Sequence, residues 1–169
     1  MTNKPLEIEY KFLIEMPDLK VISAQPEFHE KKLCQLYLQL PEYRCRIRKS
    51  EEKGKLTFCK TFKQDVTSLT RIEIEENITE AEFNELSAYI ARGTAPIEKT
   101  RYTFSYEGYT LELDVFPFWS DLAFLEIEVE SEDVTPPVPP FIKVIKDVSD
   151  DKSFRNSTLA RRIFEGTLI

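Results

Sequence analysis

The sequence is poor in the residues on which several classes of active site depend. It has only 4 Gly and no G-x-G-x-x-G or G-x-x-x-x-G-K-[ST] pattern, which excludes the usual glycine-rich phosphate loops. Its single histidine, His29, lies in the polar stretch "PEFHEKKL", so histidine-based zinc sites and catalytic triads are not expected. Because no apolar run reaches the roughly 18 residues of a membrane span, we expect no membrane partner.

Cysteine is also scarce, and acidic residues outnumber basic ones by 30 to 23. The 3 Cys (Cys34, Cys45 and Cys59) are an odd number without a C-x-x-C spacing, and no signal-peptide pattern is present. They are therefore expected to be reduced thiols, and the protein to be cytoplasmic. The formal net charge of −7 argues against a nucleic-acid partner bound through its phosphates.

What the sequence has in abundance is alternation of apolar and polar residues, which predicts β-strands. The segment Leu6–Glu15 reads "LEIEYKFLIE", and an irregular stretch is expected over 17–33. Alternating segments then recur at 34–40, 43–50, 54–63, 70–78, 98–108, 109–118 and 122–131. Hairpin turns are predicted at 50–55 and 106–109.

Two helices are predicted between and after these strands. Thr79 and Glu82 form an S/T-x-x-E capping box, and a C-terminal helix is predicted at about 156–166 with Asn156 or Ser157 as its N-cap. We expect a single α+β domain over 1–169 that is mainly antiparallel β.

The charged residues of the predicted strands share one face and are sorted by strand. Arg46 and Arg48 lie opposite Cys45 and Ile47, for example, whereas Lys60 shares its phase with Phe58 and Phe62. A sheet with one hydrated face would explain any single strand but does not require charges to be sorted. We therefore predict an eight-stranded closed tunnel (barrel) with a polar, charged lumen and flanking helices.

Such a lumen needs a charged ligand. Its bases suit a polyanion with several phosphoryl groups, because guanidinium forks match phosphate geometry. The carboxylates would repel that anion unless divalent cations lay between them, and hard oxygen ligands suit Mg²⁺ or Mn²⁺. The predicted bases are Lys11, Arg46, Arg48, Lys60, Arg71, Lys99 and Arg101, and the carboxylates are Glu7, Glu9, Glu112, Asp114, Glu126 and Glu128.

The ordered motifs resemble the CYTH family, also called triphosphate tunnel metalloenzymes, over essentially the whole chain. The sequence has E-x-E-x-K at 7–11, "QLYL" at 35–38, R-x-R at 46–48, "LTFCK" ending at Lys60, R-x-E-x-E at 71–75, "KTRY" at 99–102, "LELDVF" at 111–116, "LEIEVE" at 125–130 and "DKSFRNSTLA" at 151–160. It departs from the family at Thr61, where many members have Gly, and at Arg155, where a small or polar residue is common.

The resemblance implies a divalent-metal-dependent triphosphatase acting on inorganic or organic triphosphates. Lys152 is a candidate phosphate ligand beside the seven predicted bases, and whether Lys152 and Arg155 contact the substrate stays open. Mg²⁺ or Mn²⁺ is expected on Glu7, Glu9, Asp114, Glu126 and Glu128. Lys11 and Glu9 are assigned catalytic roles, and Glu73, Glu75 and Glu112 supporting ones.

The mechanistic hypothesis is in-line attack of a metal-activated water on the terminal phosphorus. Two alternatives share the tunnel: a class IV type adenylate cyclase that makes cyclic AMP from ATP, and a non-catalytic module that binds triphosphate or polyphosphate. The apolar outer faces of the strands are also compatible with a homodimer.

Overall fold

The computed structural model describes residues 6–40 and 44–168. Its strands are β1 (Leu6–Glu15), β2 (His29–Gln39), β3 (Arg44–Glu52), β4 (Lys55–Asp65), β5 (Thr70–Asn77), β6 (Ile97–Tyr106), β7 (Tyr109–Val115), β8 (Leu122–Glu128) and β9 (Val144–Asp147). Its helices are α1 (Leu19–Ser23), α2 (Glu80–Leu86) and α3 (Asn156–Glu165), with 3₁₀ turns at Ser87–Tyr89 and Lys152–Phe154. Within these described ranges, every helix is too short or too polar to cross a bilayer.

The strands form one antiparallel sheet that closes on itself. Its order is β5-β4-β3-β2-β6-β7-β8-β1-β9, and the barrel closes where Leu6–Ile8 of β1 pair with Thr70–Ile72 of β5. Farther along the same edge of β1, Phe12–Ile14 pair with the short strand β9. The predicted eight-stranded closed barrel is thus confirmed, and β9 is an addition that its four-residue length hid from the sequence pattern.

Local signals in the sequence account for the turns. The β3–β4 and β6–β7 hairpins turn at Lys53-Gly54 and Glu107-Gly108, and all four of these residues have positive φ, as type I′ turns require. Both predicted hairpins are confirmed. The stretch expected to be irregular is shorter than predicted, because α1 occupies part of it and β2 already begins at His29.

The hydrophobic clusters pack mainly against the outside of the barrel. One combines outward residues of β1, β6, β7 and β8, such as Ile14, Phe104 and Leu113, with Ile142 of the following segment. Another packs Phe83 of α2 against β2 and β3, and the predicted capping box of Thr79 and Glu82 begins that helix. Burial of apolar surface therefore stabilises the wall from outside and leaves the lumen to charged side chains.

One end of the barrel is partly covered by aromatic residues and α3. Phe116, Phe124 and Phe154 form edge-to-face or tilted ring contacts there, and Leu159 of α3 is buried in the same cluster. Arg155, rather than Asn156 or Ser157, precedes the first helical residue and makes no side-chain cap. The helix ends as predicted at Gly166, whose φ of 68° suits a residue without Cβ.

Candidate active site

A cavity of about 1010 Å³ occupies the lumen. It extends from the β6–β7 hairpin, where Gly108 and Thr110 line it, to the first two turns of α3, where Ser157 and Arg161 line it. Six predicted phosphate ligands line this cavity: Lys11, Arg46, Arg48, Arg71, Arg101 and Lys152. Four predicted metal ligands line it as well: Glu7, Glu9, Glu126 and Glu128.

Lys60 is the predicted phosphate ligand that the structure places outside. It shares the outer face of β4 with Phe58 and Phe62, and its Nζ lies 3.1 Å from Glu76 Oε2. The lumen position on β4 belongs to Lys63 instead, which is the Cα partner of Arg44 and lines the cavity. Strand periodicity explains the difference, because residues 60 and 63 fall on opposite faces.

Lys99 and Asp114 are brought together, but in the wall rather than at the cavity surface. Lys99 is only 4% exposed and forms a buried ion pair with Asp114. Arg101 Nε donates to Asp114 Oδ1 at 2.7 Å, and its Nη2 donates to Glu126 Oε2 at 2.7 Å. Asp114 does not line the cavity, because its oxygens contact Lys99 and Arg101. It holds Arg101 in place, and Arg101 lines the cavity.

Arg46 and Arg48 are held by polar groups of β4 and β5. Arg48 Nη2 donates to Glu75 Oε2 at 3.1 Å, and Arg46 Nη2 donates to Thr61 Oγ1 at 3.0 Å. The buried Nε groups of both arginines have no hydrogen-bond partner within 6–40 and 44–168. Both side chains line the lumen cavity, and guanidinium groups there suit a phosphoryl ligand.

The remaining supporting carboxylates also contact lumen bases. Glu73 Oε2 lies 2.5 Å from Lys63 Nζ, and Glu112 pairs with Arg101. Glu75 is the one supporting residue that does not line the cavity itself, although it contacts Arg48. These contacts are the ones that a bracing role requires, and that role stays a prediction.

The carboxylates of β1 and β8 make one side of the lumen electronegative. Glu9 is the Cα partner of Glu128, and Lys11 that of Glu126, with Lys11 Nζ 3.1 Å from Glu126 Oε1. Burial and repulsion from Glu126 raise the pKa of Glu9 to about 7. Burial, a hydrogen bond with Glu73 and repulsion from neighbouring carboxylates raise the pKa of Glu7 to about 8.

The chemistry of these carboxylates suits a divalent cation. They are hard oxygen donors, and burial, together with repulsion from neighbouring carboxylates, raises the pKa of Glu7 and Glu9. In the described ranges, however, no three Asp, Glu, His or Cys side chains are already gathered around one point. Three of them contact a lumen base instead: Glu7 contacts Lys63 at 3.5 Å, Glu9 contacts Arg71 at 3.7 Å, and Glu126 contacts Lys11 at 3.1 Å.

The raised pKa values predict that the metal-free protein loses stability as pH rises. Between pH 5 and 8 the folded state retains protons on Glu7 and Glu9 that the unfolded chain has released, so the free energy of unfolding falls with increasing pH. Chemical denaturation in the presence of a chelator would measure this slope. Glu7→Gln should flatten it, whereas Glu76→Gln on the outer face should not; an equal slope in all three proteins would contradict the assignment.

Sequence reasoning missed three groups of the lumen. Lys63 and Thr61 were not predicted as lumen residues, because the motif "LTFCK" pointed to Lys60 as the base of this strand. The phase that Lys60 shares with Phe58 and Phe62 already indicated that Lys60 faces outward. Tyr37 lines the cavity, accepts a hydrogen bond from Gln35 Nε2 at 3.2 Å, and has its pKa raised to about 12 by burial. It therefore stays protonated at neutral pH.

Asp65, at the α3 end of the cavity, is the third lumen group that sequence reasoning missed. Arg155 Nη1 donates to Asp65 Oδ2 at 2.9 Å, and both residues line the cavity beside Lys152. Arg44 Nη1 lies 3.4 Å from the same oxygen, and Arg71 Nε lies 3.8 Å from Oδ1. No period-2 argument within one strand could have joined residues 65 and 155, because the contact depends on how the C-terminal segment crosses the barrel end.

Comparison with known proteins gives consistent results. A model of the CYTH domain matches residues 5–138. An inorganic triphosphatase from Nitrosomonas europaea is 32% identical over 160 residues, covering 93% of this chain and 98% of that protein. Another, from Acetivibrio thermocellus, is 33% identical over 121 residues, covering 71% of this chain and 73% of that protein.

A solved structure extends the similarity to three dimensions. The crystal structure of an inorganic triphosphatase aligns with a TM-score of 0.55 at 31% identity, covering 92% of this chain and 94% of that one. The sequence similarity to such enzymes thus spans both the barrel and the C-terminal segment.

Proposed function

The chain belongs to the CYTH domain family, and from that premise we propose that it is a divalent-metal-dependent triphosphatase with inorganic triphosphate as its substrate. The single observation that carries the proposal is the convergence of basic side chains from five strands on one lumen cavity, namely Lys11, Arg46, Arg48, Lys63, Arg71 and Arg101. Inorganic triphosphate is favoured over organic triphosphates because both relatives act on it by name.

In the proposed reaction, water attacks the terminal phosphorus in line, and the bond to the bridging oxygen breaks to release phosphate and pyrophosphate. The phosphoryl oxygens are held by basic side chains of five strands that line the lumen cavity, namely Lys11, Arg46, Arg48, Lys63, Arg71 and Arg101. These donors are fixed before the reaction by Glu73, Glu75 and Asp114, so little reorganisation is needed as charge shifts toward the leaving group.

The carboxylates of Glu7, Glu9, Glu126 and Glu128 would hold Mg²⁺ or Mn²⁺. Such an ion supplies positive charge against the phosphoryl oxygens and makes the attacking water more acidic. Lys11, which lies 3.1 Å from Glu126 and 4.0 Å from the centre of the Phe124 ring, is placed to orient water or phosphate beside these carboxylates. Glu9, the Cα partner of Glu128, is the carboxylate assigned to exchange a proton there.

The test is a product analysis with inorganic triphosphate, thiamine triphosphate and ATP, each with Mg²⁺ or Mn²⁺. We expect stoichiometric phosphate and pyrophosphate from inorganic triphosphate, slower phosphate release from the organic substrates, and no cyclic AMP. Cyclic AMP from ATP would favour the cyclase alternative. Tight triphosphate binding without any phosphate release would favour the binding module.

Two further expectations stay predictions. A homodimer is supported by apolar side chains on the outside of the closing strands, where Leu6 is 58% exposed and Ile74 is 47% exposed. A cytoplasmic location is supported by three cysteines that are all free thiols, two of them buried in the wall.

A further inference from the structure

The two ends of the cavity differ in charge. At the β6–β7 end the lining side chains include Glu112, Glu128 and Glu130. At the α3 end they include Arg44, Lys152, Arg155 and Arg161. A linear polyanion too long for the central lumen would therefore extend toward the α3 end, because the opposite end repels it.

Asp65 lies at this α3 end, where the longer polyanion would extend. It follows Lys63 by two residues on β4, so its side chain lies on the same lumen face one step nearer the end, and its Cα partner is Arg71. Arg71 connects the central lumen with the α3 end. Its Nη1 is 3.7 Å from Glu9 Oε1, and its Nε is 3.8 Å from Asp65 Oδ1. Asp65 is thus the neighbour of the predicted phosphate ligands on the side toward α3.

The surroundings of Asp65 are those of a bound phosphoryl group. Guanidinium groups from three separate elements, those of Arg44, Arg71 and Arg155, converge on its carboxylate at 3.4, 3.8 and 2.9 Å. Carboxylate and phosphate oxygens fit the same guanidinium fork. Although burial opposes it, the hydrogen bond from Arg155 and the charges of all three arginines lower the pKa of Asp65, so the carboxylate is charged.

We propose that Asp65 limits the length of the substrate. Its carboxylate takes the place among Arg44, Arg71 and Arg155 that a fourth phosphoryl group would need, so three phosphoryl groups are accepted and longer linear polyphosphates are disfavoured. This inference rests on the proposed triphosphatase function, and it makes Asp65 a specificity-determining residue rather than a catalytic one.

The experiment compares inorganic triphosphate with linear tetraphosphate as substrates, in the presence of Mg²⁺. Asp65→Asn removes the repelling charge and frees three guanidiniums, so the ratio of kcat/KM for tetraphosphate to that for triphosphate should rise about tenfold. Glu130→Gln is the matched control: it also removes one carboxylate from the cavity, but at the β6–β7 end, and should change the ratio by less than about twofold.

Arg44→Gln provides an independent check should Asp65→Asn fail to fold, because the Arg44 side chain is 74% exposed and contributes little to the barrel. It should lower the tetraphosphate-to-triphosphate ratio about threefold and, combined with Asp65→Asn, reduce the gain. An unchanged ratio in both single variants would overturn the length limit while leaving triphosphatase activity established. If the unmodified protein releases no phosphate from triphosphate, the proposed function fails. The length limit is then tested by calorimetry, which compares the affinities for tetraphosphate and triphosphate in the same variants.

Discussion

Replacing Lys63 with glutamine is expected to lower kcat/KM for inorganic triphosphate by about a hundredfold or more, since preorganised cationic donors act mainly on the transition state. Lys63 lines the cavity and lies 2.5 Å from Glu73, which holds its ammonium in the lumen. Steady-state phosphate release would measure the loss. Glutamine keeps much of the side-chain length while removing the charge.

Lys60→Gln is the matched control for this experiment. It is the same substitution three residues earlier on the same strand, but on the outer face beside Glu76, so kcat/KM should stay within about twofold of the unmodified value. Equal losses in the two variants would mean that lumen position does not determine the role of these lysines. A loss confined to Lys60→Gln would reverse the assignment drawn from the structure.

The second large effect is expected for Glu9→Gln. Glu9 is buried between Glu128 and Arg71, and its carboxylate is among the four that would hold the divalent cation. Its replacement by an uncharged amide should lower turnover at fixed Mg²⁺ by about a hundredfold or more and raise the Mg²⁺ concentration needed for half-maximal activity. Titrating Mg²⁺ and Mn²⁺ against phosphate release measures both quantities.

Glu76→Gln, an exposed carboxylate on the outer face, should leave the metal titration unchanged. A Glu9→Gln variant with undiminished metal-dependent turnover would exclude Glu9 from the metal site. Because burial raises the pKa of Glu9, the amide is not expected to destabilise the metal-free protein, and thermal unfolding at neutral pH would separate a catalytic defect from a folding defect.

Strand periodicity was sufficient to predict the closed barrel and most of its lumen. Charges that alternate with apolar residues along β1, β3, β5 and β8 do face one cavity, because a strand fixes the side of each side chain independently of its neighbours. The β3–β4 and β6–β7 turns were readable for a similar reason, since Lys53-Gly54 and Glu107-Gly108 adopt positive φ locally.

What the sequence could not supply was how far each side chain stands from the cavity. Lys99 has the same phase as Arg101, yet its ammonium is enclosed with Asp114, because the wall at that end is packed with Phe116 and Phe124. The grouping of Asp65 with Arg155 likewise depends on the path of the C-terminal segment. Both depend on contacts between segments distant along the chain, which no pattern within one strand encodes.

The location of the hydrophobic clusters outside the barrel wall has an evolutionary consequence. Arg48 and Lys63 contribute to no apolar cluster, whereas Ile47, the outward-facing neighbour of Arg48 on β3, is fully buried in one. The inner face of each strand is therefore constrained by the chemistry of the site and the outer face by folding. A lineage with this architecture can change its leaving group through substitutions inside the wall that leave the apolar contacts of the scaffold intact.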